Sequence, residues 1–212
     1  MSEGLSKSRL KTAKQETVLI IACGALAKEI VEIKKLNAWS HIKIQCLPAE
    51  MHNRPHRIPG AVRAEIENSR ADFEHIFVAY ADCGTGGRLD KVLAEFDIDR
   101  LPGSHCYEFF AGAKVFEDFA DNEPGTFYLT DFLTRHFDRL MKKGLGLDKH
   151  PELLSAYFGN YRKLVYLAQT ESSRLQTQAQ AHADYLDLEY VYHYTGLNPV
   201  AHNFSEKIIQ WQ

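Results

Sequence analysis

The sequence predicts an α/β fold: a Rossmann-like, doubly wound and mostly parallel sheet with a helical insertion. Three observations lead to this prediction. Strand-like and helix-like segments alternate along the first half of the chain, the first strand is a continuous apolar run, and a second strand–helix–strand unit follows near the C-terminus. The chain has 212 residues, of which 45% are hydrophobic and 25% are charged, an ordinary globular composition. This length favours one domain.

The first half of the chain consists of three successive strand–helix pairs. Residues 17–23 form a continuous apolar run rich in β-branched side chains, which is typical of a strand buried on both faces. Residues 25–36 carry apolar side chains at helical spacing. Alternation of this kind predicts a parallel sheet. The further elements of this half are predicted strands at 41–46 and 75–81 and predicted helices at 61–69 and 88–96.

The second half of the chain is less regular. Apolar residues at helical spacing predict helices at 126–141 and 151–161. A further helix at 172–186, which Ser172 or Ser173 would cap, lies between predicted strands at 163–168 and 188–193. This second unit would join the first sheet, and residues 116–160 would be the helical insertion. The expected organisation is a disordered tail at 1–16, a single α/β domain at 17–196 and a C-terminal extension at 197–212.

Composition excludes several classes of function. The formal net charge of −3 excludes a broad basic surface for nucleic acid and does not indicate a charged membrane surface. The longest apolar stretch, residues 18–22, is much shorter than the ~18 residues of a membrane helix. The N-terminus lacks the apolar segment of a secretory signal, and the four cysteines are too dispersed for a disulfide framework. We therefore expect a cytoplasmic protein with reduced thiols.

The cysteines are placed where an α/β protein binds its ligands. Cys23 and Cys46 end the first two predicted strands, and Cys83 lies just past the third. Since ligands bind outside the carboxyl ends of parallel strands, these thiols are expected along one edge of the sheet. Thiolate and imidazole suit zinc, and thiolates also suit an iron–sulfur cluster. The predicted metal ligands are Cys23, Cys83, His105 and Cys106, with Cys46 in reserve.

The competing interpretation is that each cysteine is a small buried packing residue. Packing is preferred for Cys46, which extends an apolar strand. Function is preferred for Cys23 and Cys83, because a glycine follows each of them directly. The chain contains no Cys-x-x-Cys pair, so the spacing matches no zinc signature.

A glycine-rich loop follows the third predicted strand. Its glycines allow positive φ, and the next helix would present free N–H groups to an anion. The loop resembles the first motif of S-adenosylmethionine-dependent methyltransferases, and it lacks the Gly-Lys-Ser/Thr of a Walker loop. A tight turn without a ligand is the alternative. The predicted substrate-binding residues of this loop are Gly84, Thr85, Gly86 and Gly87.

Polar side chains accompany these motifs. Asp82, Tyr107 and Glu108 flank two of the cysteines and are predicted to handle protons. His52 and Arg54 follow the second strand and are predicted to anchor the substrate, with a solvated loop as the alternative.

A further polar segment begins at residue 123. Thr126 or Thr130 is expected to cap a helix there, and Tyr128 and Asp131 are expected to face a pocket.

Six motifs, in order along residues 17–196, resemble a family of bacterial and archaeal proteins of unknown function. The resemblance implies a link to one-carbon or corrinoid metabolism, because members of that family often lie near methylamine or corrinoid methyltransferase genes. It supplies no catalytic residues. The motifs are Ala22-Cys-Gly-Ala-Leu, Cys46-Leu-Pro-Ala with His52-Asn-Arg-Pro, Tyr80-Ala-Asp-Cys-Gly-Thr-Gly-Gly, Gly103-x-His-Cys-Tyr-Glu-Phe-Phe-Ala-Gly, Glu123-Pro-Gly-Thr-Phe-Tyr-Leu-Thr-Asp-Phe and Tyr166-Leu-Ala-Gln-Thr.

Together these features lead to one expected function and two alternatives. The expected function is a zinc-dependent or other metal-dependent enzyme that acts on a small methylated or corrinoid-linked substrate. The first alternative is a methyltransferase that uses S-adenosylmethionine, with the cysteines as bystanders. The second is a non-enzymatic accessory protein that handles a metal or corrinoid and binds a methyltransferase partner.

Overall fold

The structure, a computed structural model, describes residues 18–208. It confirms the predicted Rossmann-like α/β class: within that range six strands form two sheets, and every neighbouring pair of strands is parallel. No helix in the same range has the length and apolar character needed to cross a membrane. The predicted tail at 1–16 and the last residues of the predicted extension lie outside the described residues.

The first sheet has the strand order β2-β1-β3. Its central strand is buried at every residue, because it has a strand on each side and packed helices around it. Val18 is in register with Ile42 on one side and with His75 on the other. The elements are β1 (Val18–Cys23), α1 (Ala27–Leu36), β2 (Ile42–Leu47), α2 (Ile58–Ser69), β3 (His75–Ala79) and α3 (Arg88–Ala94).

The second sheet has the order β4-β5-β6 and is separate from the first. Its first strand lies where a helix was predicted, at 126–130. The β-branched and aromatic residues of this segment favour a strand, and the helical spacing belongs to the residues after it. The elements are β4 (Thr126–Thr130), α6 (Asp131–Arg135), a π-helical turn (Asp138–Lys143), α7 (Leu154–Phe158), β5 (Lys163–Ala168), α8 (Ser173–Leu186) and β6 (Glu189–Tyr194).

Three helices pack between the two sheets. They are α4 (Cys106–Ala111), α5 (Ala113–Asn122) and α9 (Asn198–Ile208). Phe204 of α9 meets Phe77 of the first sheet edge to face, at 6.2 Å between ring centroids. Side chains from both sheets and from these helices share one apolar cluster. The predicted C-terminal extension therefore contributes a helix to the core.

Two predicted helix caps are present. The Thr130 hydroxyl accepts a hydrogen bond from the Leu133 N–H at the start of α6, at 3.3 Å. The Ser172 hydroxyl accepts one from the Leu175 N–H at the start of α8, also at 3.3 Å. Each cap satisfies an amide that the first helical turn leaves without an intrahelical partner.

Candidate functional site

A cavity of about 520 Å³ lies at the carboxyl ends of β1 and β3. The walls come from both halves of the chain: Cys23 ends β1, Cys83 follows β3, and Tyr128 lies on β4 of the second sheet. Helix α4 begins at this cavity with Cys106. This is the edge at which parallel sheets place their ligands, as the cysteine positions predicted.

Two thiols in the cavity form a close pair. The sulfur atoms of Cys83 and Cys106 are 3.0 Å apart, and both residues are partly exposed to the cavity. The backbone holds the two segments together, because the Cys83 N–H donates to the Ser104 carbonyl at 2.8 Å and the Asp82 N–H donates to the Gly103 carbonyl at 3.2 Å. The loop after β3 is thereby fixed against the segment that leads into α4.

The two thiols differ in acidity. The hydrogen bond from Cys106 lowers the pKa of Cys83, and the same bond, together with burial, raises the pKa of Cys106. Hydrogen bonding to the charged form of one group favours its ionisation. Cys83 is therefore the more acidic thiol of the pair, and its thiolate form is stabilised by a hydrogen bond from Cys106.

The other two cysteines, Cys23 and Cys46, are not part of the close thiol pair. Cys23 lines the cavity, and burial raises the pKa of its thiol to about 11, so it stays protonated at neutral pH. Cys46 is exposed on the edge strand β2, so the prediction that it is a buried packing residue is wrong. Exposure increases along this face of the edge strand, from the buried Ile42 through Ile44 to Cys46.

The metal prediction finds no support in the described range. Among residues 18–208, no group of three or more His, Cys, Asp or Glu side chains is arranged to hold a metal ion. Two sulfur atoms on one tetrahedral zinc would lie about 3.8 Å apart, since each Zn–S bond is about 2.3 Å. The 3.0 Å separation of Cys83 and Cys106 is shorter than that. His105 lines the same cavity, where its ring faces Phe116 at 6.5 Å.

A tyrosine–histidine pair lies beside the thiols. The Tyr107 hydroxyl and His52 Nε2 are 3.1 Å apart. Desolvation raises the pKa of Tyr107, so the phenol keeps its proton. Desolvation and then the nearby His105 lower the pKa of His52, although its side chain remains in contact with solvent at the mouth of the cavity. At neutral pH the pair is a neutral phenol and a neutral imidazole.

Aromatic side chains form much of the remaining wall. Tyr107 stacks on Tyr128 at 5.3 Å between ring centroids, and the Phe116 ring lies 5.3 Å from that of Tyr128, tilted by 38°. The buried hydroxyls of Tyr128 and Tyr80 have no hydrogen-bond partner among the described residues. Glu123 contributes a carboxylate to the wall, and no Lys, Arg or Asp lies among the described residues that line it.

The glycine loop is closed by its own carboxylate. Asp82 accepts hydrogen bonds from the Thr85 hydroxyl at 2.7 Å, the Gly86 N–H at 3.0 Å and the Gly87 N–H at 2.8 Å. These bonds, that of Gly87 first, lower the pKa of Asp82 to about 2. The N–H groups of Gly86 and Gly87, which were predicted to be available to an anion, therefore donate to Asp82 instead. Gly84 and Thr85 lie outside the cavity lining as well.

The loop instead sets the position of Cys83. That residue has a φ of +49°, and Gly84, Gly86 and Gly87 have φ values of +79°, +62° and +74°. Glycine adopts this left-handed region without steric cost, whereas a cysteine in it is strained. The turn brings the Cys83 sulfur into the cavity, and Asp82 stabilises the turn.

Three further predicted residues lie outside the cavity lining. The Glu108 carboxylate packs against the α-carbon of Gly103, and Arg54 is exposed. Asp131 is fully buried, where it accepts hydrogen bonds from the Tyr166 and Thr170 hydroxyls, each at 2.6 Å.

Part of the site could not be predicted from the sequence. No sequence pattern indicated a role for Tyr80, Phe116 or Glu123, which line the cavity. The only available signal was indirect: Tyr80 and Glu123 begin two of the motifs that carry the family resemblance. The sequence did predict that Tyr128 faces a pocket, and Tyr128 lines this cavity.

A profile of the protein family described as "Protein of unknown function (DUF1638)" matches residues 46–203, which is well over half of the chain. The chain belongs to the DUF1638 family. The matched part of this DUF1638 protein includes Cys83, Cys106, His52 and Tyr107, whereas Cys23 precedes it. No curated protein and no solved structure matches the chain.

Proposed function

We propose that this DUF1638 protein is an enzyme that uses the Cys83 thiolate to accept a methyl group from a small methylated cation. The observation that carries the proposal is the Cys83–Cys106 pair, 3.0 Å apart, in a cavity walled by aromatic rings. A thiolate, rather than a thiol, is the nucleophilic form of cysteine. The neighbouring thiol stabilises that form of Cys83, which is partly exposed and lines the cavity.

The cavity wall favours a methylated cation as the substrate. A cation is attracted to the faces of aromatic rings, and aromatic cages bind quaternary ammonium groups. Tyr107, Tyr128 and Phe116 supply the rings, and Glu123 adds negative charge. Since the described lining has no Lys or Arg, an anionic substrate would have no charged partner there.

The proposed step is a displacement at a methyl carbon. The Cys83 sulfur forms a bond to the methyl carbon, the bond from that carbon to nitrogen or sulfur breaks, and the leaving group departs as a neutral amine or sulfide with the electron pair. The step needs no proton, which agrees with a neutral His52 and a protonated Tyr107 beside it. Turnover would then require an acceptor that takes the methyl group as the Cys83 S–C bond breaks, so that Cys83 is released as the thiolate. A reduced corrinoid would supply such an acceptor, in keeping with the one-carbon link that the family resemblance implies.

A zinc-dependent form of the site is a second proposal. It rests on the presence of Cys23 in the same cavity as Cys83 and Cys106. Zinc would require the sulfur atoms of Cys83 and Cys106 to separate by about 0.8 Å. Elemental analysis of anaerobically purified protein decides this point: one zinc per chain that is lost in both Cys23→Ser and Cys83→Ser supports it, and metal-free active protein contradicts it.

Ligand binding tests the substrate class. Tetramethylammonium is titrated calorimetrically into the reduced full-length protein, with tert-butanol as an uncharged compound of similar shape. We expect saturable binding of the cation alone, weakened about tenfold by Phe116→Leu or Tyr128→Leu, in line with the strength of cation–π contacts. Tyr194→Leu is the matched control, because Tyr194 is exposed on β6 outside the cavity lining. Equal binding of both compounds, or equal effects of all three variants, would contradict the proposal.

A further inference from the structure

We propose that Cys83 and Cys106 form a reversible disulfide with each other, which makes the site sensitive to small-molecule disulfides such as glutathione disulfide. The bond itself depends only on the geometry of the pair. The consequence for activity rests on the proposed function, because the disulfide would remove the thiolate that the reaction uses.

The two cysteines need to move little to form the disulfide. The sulfur atoms are 3.0 Å apart, and a disulfide bond is about 2.05 Å long, so the sulfurs must approach by about 1 Å. The backbone segments that carry them are already joined by the hydrogen bonds of Cys83 and Asp82 to residues 103 and 104. Cys106 is the first residue of α4, where a change of side-chain rotamer leaves the helical hydrogen bonds intact.

The oxidant can reach the pair. Both cysteines are partly exposed and line the cavity, whose mouth is bordered by the solvent-accessible His52. Cys83 attacks first, because it is the more acidic thiol of the pair and the thiolate is the attacking form. Cys23 is buried deeper in the wall, and Cys46 is exposed on β2 outside the cavity lining, so neither is placed as Cys106 is to complete the exchange.

The exchange proceeds in two balanced steps. The Cys83 sulfur attacks one sulfur of the small disulfide, a mixed disulfide forms, and one small thiolate leaves. Cys106 then loses its proton to that thiolate and attacks the Cys83 sulfur, which forms the Cys83–Cys106 bond and expels the second small thiolate. The Cys83 thiolate and the Cys106 thiol are oxidised, and one small disulfide is reduced to one thiol, which takes the Cys106 proton, and one thiolate. Excess small thiol reverses both steps.

The disulfide would also change the charge of the cavity. A Cys83 in the disulfide can no longer ionise, which leaves Glu123 as the acidic residue of the described lining. A methylated cation should therefore bind more weakly to the oxidised protein than to the reduced protein.

Peptide mapping in glutathione buffers tests the inference. The full-length protein is equilibrated at increasing ratios of glutathione disulfide to glutathione, quenched with acid, alkylated and mapped by mass spectrometry. We expect a Cys83–Cys106 cross-linked peptide to accumulate while Cys23 and Cys46 remain alkylated, and tetramethylammonium binding to weaken at least several-fold in parallel. Reduction should restore both.

Single-cysteine variants give the controls. Cys46→Ser should form the cross-link as the wild type does, and Cys106→Ser should retain glutathione on Cys83 because nothing resolves the mixed disulfide. A Cys23–Cys83 cross-link, a mixed disulfide that persists on wild-type Cys83, or full alkylation of both residues at every ratio would overturn the inference.

The same experiment separates this inference from the proposed function. Failure of the reduced protein to bind tetramethylammonium, with the cross-link present, contradicts the proposed function and leaves the disulfide supported. Binding by the reduced protein without a cross-link contradicts the disulfide and leaves the proposed function supported.

Discussion

Cys83 owes its chemistry to two neighbours. Asp82 closes the glycine turn that holds Cys83 at a φ of +49°, and the hydrogen bond with Cys106 favours the thiolate form of Cys83. Neither contact could be read from the sequence, since Cys83 and Cys106 are 23 residues apart. The sequence also could not tell an anion-binding loop from a loop closed by its own aspartate, because both use the same turn-forming residues.

Alkylation of Cys83 should extend to a lower pH than that of an ordinary thiol. The thiolate is present above the pKa, so a lowered pKa shifts the rate profile toward acid, and Cys106→Ala should shift it back toward alkaline pH. The measurement is the rate of iodoacetamide modification of each cysteine against pH. Cys46 is an internal reference, because local desolvation raises its pKa. A Cys83 profile that Cys106→Ala leaves unchanged would show that the thiol pair does not set its acidity.

Individual elements show where sequence patterns are informative and where they are not. The strands of the first sheet and helix α8 were predicted close to their observed bounds, because each is long enough for its periodicity to be read. Strand β4 was missed, since five strand residues run directly into α6 without a turn between them. Glu108, which the sequence placed beside the thiols, lies outside the cavity lining. Two residues along a helix correspond to a rotation of about 200°, so its side chain points away from the face of Cys106.

The cap of α8 should make a measurable contribution to stability. Ser172→Ala removes the hydroxyl that accepts the Leu175 N–H, and we expect it to lower the free energy of unfolding by about 1 kcal/mol. Ser173→Ala is the matched control, because Ser173 is exposed at the first helical position. Urea denaturation compares the two variants. Equal effects would mean that the Ser172 hydroxyl does not cap the helix.

The junction of β4 with α6 depends on buried Asp131. Its oxygens accept hydrogen bonds from Tyr166, Thr170 and the Gln169 N–H, and Arg135 pairs with it at 3.2 Å. Asp131→Asn replaces one acceptor with a donor and removes a buried charge, so we expect a loss of about 2–4 kcal/mol in the free energy of unfolding.

The surface pair between Asp138 and Lys142 provides the control for Asp131. Asp138 is exposed and lies 2.8 Å from Lys142 one helical turn away, so Asp138→Asn should cost about 0.5 kcal/mol or less. Both variants are compared by urea denaturation. A loss at Asp131 no larger than the loss at Asp138 would contradict the structural role of the buried network.

At the scale of the whole molecule, the two sheets share an apolar core and also share the cavity. The sequence predicted the parallel α/β class and the edge at which the thiols meet. It did not predict two sheets. Residues 116–160 were expected to be a helical insertion, but they contain β4, and this strand gives the second unit a sheet of its own. The aromatic wall needs residues from both units, such as Tyr107 and Tyr128, and this long-range contact leaves no periodic pattern in the chain.

The central claim is that this cavity presents the Cys83 thiolate to a methylated cation. The most direct test is to incubate the reduced full-length protein with trimethylsulfonium and to map methylated cysteines by mass spectrometry, with Cys83→Ser as the control. We predict one methyl group on Cys83, no label on the exposed Cys46, and a rate that falls as the pH drops through the pKa of Cys83. Methylation of Cys46 at an equal rate, or an unmodified Cys83, would contradict the claim.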